Sequence, residues 1–88
     1  MSSALQDSVE WTSLQGQYLA FIYAYTTIYS QAPAERDMQQ FFHVSPPTVH
    51  TMLKLLEHHG FIQRQPGVPR SIQLLVPPEK LPILQRQK

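Results

Sequence analysis

Apolar residues recur at helical spacing over residues 13–30. Placing successive residues 100° apart puts Leu14, Tyr18, Phe21, Ile22, Tyr25, Ile28 and Tyr29 on one face, which predicts a first amphipathic helix. Thr12 or Ser13 can cap it by accepting a bond from an orphan amide. Pro33 then interrupts the chain. Residues 35–42 read as a short second helix, with Glu35 and Asp37 suiting the positive end of its dipole and Met38, Phe41 and Phe42 on its apolar side. His43 and Val44 form a turn. Ser45 is a favourable N-cap, and Pro46 fits the first helical position because that amide is unbonded anyway. The third helix runs over residues 46–59, with Val49, Met52, Leu53 and Leu56 as its buried stripe and Gly60 as its stop. Beyond Gly60 the spacing changes to that of strands. Residues 61–65 and 71–76 read as a hairpin around Pro66-Gly67-Val68-Pro69, with Ile62, Ile72, Leu74 and Val76 able to face the helices. The prolines after residue 76 argue against a further long helix.

The order helix, helix, helix, hairpin predicts a mainly α fold with a small antiparallel β-hairpin, a three-helix winged helix-turn-helix over residues 13–76. Residues 1–12 read as an N-terminal arm and residues 77–88 as a proline-containing tail. In such a unit the second helix of the motif enters the major groove of DNA. The face of the third helix opposite its core stripe holds Pro47, Thr51, Lys54 and His58, with His50 beside them. It offers donors, acceptors and a cation, and no carboxylate. Thr51 and His50 can meet base edges, and Lys54 a guanine edge or a phosphate. Ser45 and the first free amides of the helix suit a phosphate. Arg64 and Arg70 flank the wing turn and could follow the adjacent backbone or minor groove. Each of these has a plainer reading, a solvated helix face or a hairpin whose charges block edge pairing. Their combination in one order favours DNA.

Composition narrows the alternatives. The chain has 88 residues, room for one domain. It contains no cysteine, which excludes disulfides and thiolate metal sites. The apolar run from Tyr18 is too short to span a bilayer, and no signal-peptide pattern opens the chain, so a cytoplasmic location is expected. Net charge is only +1, but Lys54, Arg64 and Arg70 face Glu57 alone between residues 45 and 75. His58 and His59 project about 100° apart on a helix and do not share an ion easily, so no metal is expected. Gly16, Gly60 and Gly67 do not form a phosphate-cradling loop. No nucleophile–base arrangement is legible, so neither an enzyme nor a cofactor is expected.

Residues 16–75 resemble the DNA-binding domain of LexA repressors. The clearest likeness is Ser45-Pro-Pro-Thr-Val-His50, followed by Leu53-Lys54, Leu56-Glu57 and Gly60-Phe61-Ile62. A second is Pro66-Gly-Val-Pro-Arg70-Ser-Ile72 at the wing. Gly-Phe-Ile also opens the wing of other winged-helix repressors, the MarR type among them. The resemblance implies a transcriptional repressor with base contacts at Ser45, Pro47, Thr48, His50 and Thr51, and a further contact at Lys54. Two departures stand out. Only 13 residues follow Leu75, so the C-terminal self-cleaving domain of LexA repressors, and its damage response, are not expected. The first helix also lacks the outer charges of that family, since no charged residue occurs between Trp11 and Ala34.

That uncharged helix carries Tyr23 on its outer side, with Leu19, Thr26 and Thr27 on the flanks. These residues are candidates for a homodimer interface, joined by Leu5, Val9 and Trp11 of the arm or by Leu81, Ile83 and Leu84 of the tail. The rival to a DNA-binding dimer is a winged-helix module whose partner is another protein. A third reading makes the chain one piece of a larger assembly. Retardation by sheared duplex DNA, weakening as salt rises, separates the first two.

Overall fold

A computed structural model of the chain describes residues 11–87. Asp7, Glu10, Leu5 and Val9 of the arm, and Lys88, lie outside the described residues. The elements follow in the order α1 (Ser13–Tyr29), α2 (Glu35–Phe42), α3 (Pro46–His58), β1 (Ile62–Gln63) and β2 (Gln73–Leu74), then a short 3-10 turn (Pro78–Lys80). This is the winged-helix order expected from the sequence.

Local chemistry explains the boundaries. Thr12 Oγ1 accepts from the Gln15 amide at 3.1 Å, and Gln15 Oε1 accepts from the Thr12 amide at 2.9 Å. Together they close a capping box that satisfies two orphan donors of α1. Asp37 Oδ2 accepts from the Ala34 amide at the start of α2. At the far end of α3 the Phe61 amide reaches Leu56 O and the Gly60 amide reaches Glu57 O, both at 3.0 Å. Those paired bonds make a Schellman stop, and Gly60 holds the left-handed conformation it requires, φ +78°.

Tyr18, Leu19 and Ile22 of α1, Met38 and Phe42 of α2, Val49, Leu53 and Leu56 of α3, and Ile62 and Ile72 of the hairpin form the core. The Tyr18 ring stacks on Phe42, with centroids 4.0 Å apart. Burial pushes the Tyr18 phenol above its ordinary range. The inward face of α1 is turned from the one expected. Leu14, Ile28 and Tyr29 are exposed, whereas Leu19 is fully buried. The reason is that α1 is covered on two sides. Beyond the helices and hairpin, Trp11 and Pro82 close over Gly16, and Leu81 and Leu84 of the tail pack against the core. Leu19 lies between the two covered sides. The tail is anchored by one side chain: Gln17 Nε2 donates to Ile83 O at 2.9 Å, and the Gln85 amide donates to Gln17 Oε1 at 2.6 Å.

The hairpin pairs Ile62 with Leu74 and Gln63 with Gln73. Its strands are shorter than expected. Pro66 and Pro69 have no amide to offer a ladder. The Gln65 amide is taken instead by Ser71 Oγ at 2.9 Å, which itself donates to Gln65 O. A side chain thus continues the pairing where the backbone ladder stops.

Candidate nucleic-acid interface

The face of α3 opposite Val49, Leu53 and Leu56 is open. Ser45, Pro47, Thr48, His50, Thr51, Lys54 and His58 are all exposed, so the positions expected to meet bases share one accessible surface. Two prolines at the first two helical positions remove amides there, so α3 offers fewer free donors at its N-terminus than an ordinary helix. Ser45 occupies the N-cap position but makes no capping bond. Its hydroxyl pairs with Thr48 Oγ1 at 3.0 Å, which leaves a two-hydroxyl unit at the tip of the helix. Lys54 enters no ion pair among the described residues, so its ammonium is available to an anion.

The wing arginines, expected to follow the adjacent backbone or minor groove, both make contacts within the fold. Arg64 is largely covered. Its Nη2 lies 3.1 Å from Glu57 Oε1, its Nη1 lies 3.3 Å from Glu35 Oε2, and its side chain is 19% exposed. Arg70 takes a left-handed backbone, φ +56°, and reaches back toward the helices while staying partly exposed. Its Nη1 donates to the Tyr25 hydroxyl, to Ala32 O and to Asp37 Oδ2, each at 3.1 Å. The guanidinium also lies over the Tyr25 ring, 5.8 Å from its centroid. The Tyr25 hydroxyl, and then the Asp37 carboxylate, push the Arg70 pKa above its ordinary value. Carboxylates 29 and 33 residues distant claim the two cations. Sequence reasoning missed Glu35 and Asp37 as partners because no local spacing announces contacts of that range, and Glu57, only seven residues before Arg64, because the stop at Gly60 ends the helical spacing between them. The only legible hint was acidic residues opening α2, which the helix dipole already accounts for.

A groove of about 540 Å³ separates α3 from the wing. Glu35, His50, Glu57 and Arg64 line it together with residues 65–72. His50 belongs to both groove and reading face: its side chain is 57% exposed, and its Nδ1 stands 3.9 Å from Glu35 Oε2.

The candidate dimer residues divide. Tyr23 is 44% exposed, and Thr26 and Thr27 are exposed. Leu19 is 0% exposed and belongs to the core, which removes it from any interface. The Thr26 hydroxyl is spent on its own helix, donating to Ile22 O at 2.8 Å. Leu81 and Leu84 pack inward, and Ile83 alone of the tail's apolar trio stands open, 82% exposed. Among the described residues no helix is long and apolar enough to cross a membrane.

Two comparisons bear on this surface. Residues 11–68 match the model of the MarR family. The chain is also similar to a LexA repressor of Thermosipho africanus (strain TCF52B), 35% identical over 74 residues, which is 84% of this chain. It spans 37% of the length of that relative.

Proposed function

This chain belongs to the MarR family of winged-helix DNA-binding transcription regulators, and on that premise we propose that it is a cytoplasmic repressor that reads duplex DNA with the open face of α3. The observation that carries the reading is that Ser45, Pro47, Thr48, His50, Thr51 and Lys54 are exposed together while the apolar stripe of the same helix is buried. Short polar side chains in the first turns of a recognition helix reach base edges, and a lysine one turn further on reaches a phosphate. The likeness to a protein named LexA repressor supports the sign of regulation. Arg64, with Nε, Nη1 and Nη2 all on carboxylates, serves to hold the wing in place rather than to read DNA, whereas Arg70 engages its Nη1 within the fold and keeps a partly exposed guanidinium beside the wing turn. Electrophoretic retardation on sheared duplex DNA, followed across a salt series, is the test. Retardation that weakens with salt is expected. No retardation at low salt overturns the reading in favour of a protein-binding module.

The repressor acts as a homodimer. A single winged helix with one unpaired lysine on its reading face gathers few phosphate contacts. Two chains on one duplex double them and make the second engagement intramolecular, raising avidity by about 10²–10⁴. The uncharged outer side of α1 around Tyr23, Thr26 and Thr27 supports this placement, since two copies meet there without like-charge repulsion.

A further inference from the structure

Four side chains from three parts of the fold meet beside the reading face. Glu35 opens α2, His50 and Glu57 stand on α3, and Arg64 enters from the wing. One carboxylate oxygen, Glu35 Oε2, faces both Arg64 Nη1 at 3.3 Å and His50 Nδ1 at 3.9 Å. Glu57 Oε1 takes the other side of the guanidinium, 3.3 Å from Nε and 3.1 Å from Nη2. While the imidazole is neutral, two carboxylates are balanced by one cation. A surplus negative charge therefore sits against a side chain of the surface that meets phosphates. Among the described residues nothing else in the groove cancels it. Arg70 lines the same groove, but Asp37 neutralises it at 3.1 Å. On α3 itself Lys54 lies one turn beyond His50, and Glu57 lies toward the wing, turned to Arg64.

We propose that DNA binding is proton-linked at His50: the duplex is bound with uptake of one proton by His50, which cancels the surplus charge of the Glu35–Arg64–Glu57 cluster. The inference rests on the DNA-binding reading above. The proton comes from solvent and settles on the imidazole nitrogen that faces Glu35, and no other bond is made or broken. In the complex, phosphate oxygens join Glu35 beside the imidazole. The charged form is thus held more strongly in the complex than in the free protein. By linkage, affinity is greatest at low pH and falls as pH rises through the histidine range. Glu35 is a positioning residue, acting on DNA through His50. Its effect on affinity near neutral pH has a sign that a purely structural role does not share. As a surplus charge it opposes phosphate. As a mere support for Arg64 it would favour binding.

The experiment measures retardation of sheared duplex DNA at pH 5.5, 6.5 and 7.5 and constant low ionic strength. It uses the full chain and its Glu35→Gln, Glu57→Gln and His50→Gln variants, with a thermal melt of each to establish folding. Wild-type affinity is expected to fall by about threefold or more from pH 5.5 to 7.5, the scale of one screened charge near a phosphate. Glu35→Gln is expected to bind about threefold tighter than wild type at pH 7.5. Glu57→Gln carries the same expectation and stands in if the first variant does not fold. His50→Gln is expected to lose the pH response. Equal or weaker binding by the folded glutamine variants at pH 7.5 overturns the inference. So does a full pH response in His50→Gln, which would assign the proton to His43, His58 or His59. Wild type that binds with no pH response sinks this inference alone. Wild type that binds at no pH sinks the DNA-binding reading and this inference with it.

Discussion

Lys54 and Arg64 are both cations near the reading face, yet they stand in opposite situations. Lys54 is exposed and unpaired among the described residues, whereas Arg64 closes a triad with Glu35 and Glu57. The salt dependence of DNA binding is expected to tell them apart. Lys54→Ala should lower the slope of log affinity against log salt by about 0.9, because one phosphate fewer is neutralised. Arg64→Ala should leave that slope unchanged while lowering thermal stability by about 1 kcal/mol. That figure is small because both carboxylates are more than a third exposed and water screens them. Equal reductions of slope in the two variants would return Arg64 to the DNA. On the proposed reading, specificity is carried by the neutral side chains. Thr51→Ala should shift base preference at one position by about 1–3 kcal/mol, read by selecting sites from a random duplex pool. Recovery of the wild-type site at the same strength would remove Thr51 from the readout.

Elements were legible in this sequence wherever a local rule decides them. Thr12 or Ser13 before the first helix, Ser45 before Pro46, and Gly60 after His59 mark helix ends through signals that span only a few residues, and α1 and α3 stand where those signals put them. The reading face of α3 was legible for the same reason, because its exposure follows from the stripe of Val49, Leu53 and Leu56. The covered side of α1 was not. Gly16 is covered by Trp11 and by Pro82 of a tail more than 60 residues later in the chain, held through Gln17, and a helical wheel contains no information about a partner at that distance. The fates of Arg64 and Arg70 were hidden in the same way. Gly16 now gains a sharp role. A Cβ there would stand 3.0 Å from Pro82 Cγ and 3.1 Å from Trp11 Cδ1 and Nε1. Gly16→Val is therefore expected to displace the tail, destabilising the fold by about 1–3 kcal/mol as overpacking does. Chemical denaturation checks this, and an unchanged midpoint would show that Trp11 and Pro82 yield freely.

At the scale of the whole molecule, the question is how one small domain holds a regulatory site firmly enough. Sedimentation at micromolar concentration should show a dimer, and Tyr23→Glu should dissociate it by placing a charge in an uncharged contact. A dimer that survives Tyr23→Glu would move the interface elsewhere, with exposed Ile83 of the tail as the next place to test. A wild type that stays monomeric on DNA would remove the dimer from the proposal. Such an interface leaves α3 and the wing free, because Tyr23 lies on α1 and outside the groove between them.

The anchoring of the wing has a consequence for enzymatic digestion. Trypsin must draw several residues around a lysine or arginine into its cleft in extended form, so it cuts where the chain opens locally. Both arginines that bracket the wing turn have their guanidinium groups engaged by other parts of the fold, and the Gln65 amide is bonded across the turn to Ser71. Lys80 and Arg86 are exposed in a tail held by few bonds. A brief trypsin treatment is therefore expected to trim the chain at Arg86 and Lys80 while leaving the bonds after Arg64 and Arg70 intact. Mass spectrometry of the first fragments reads the order directly. With Asp37→Asn, which removes one anchor of Arg70, the bond after Arg70 should become the faster one to break.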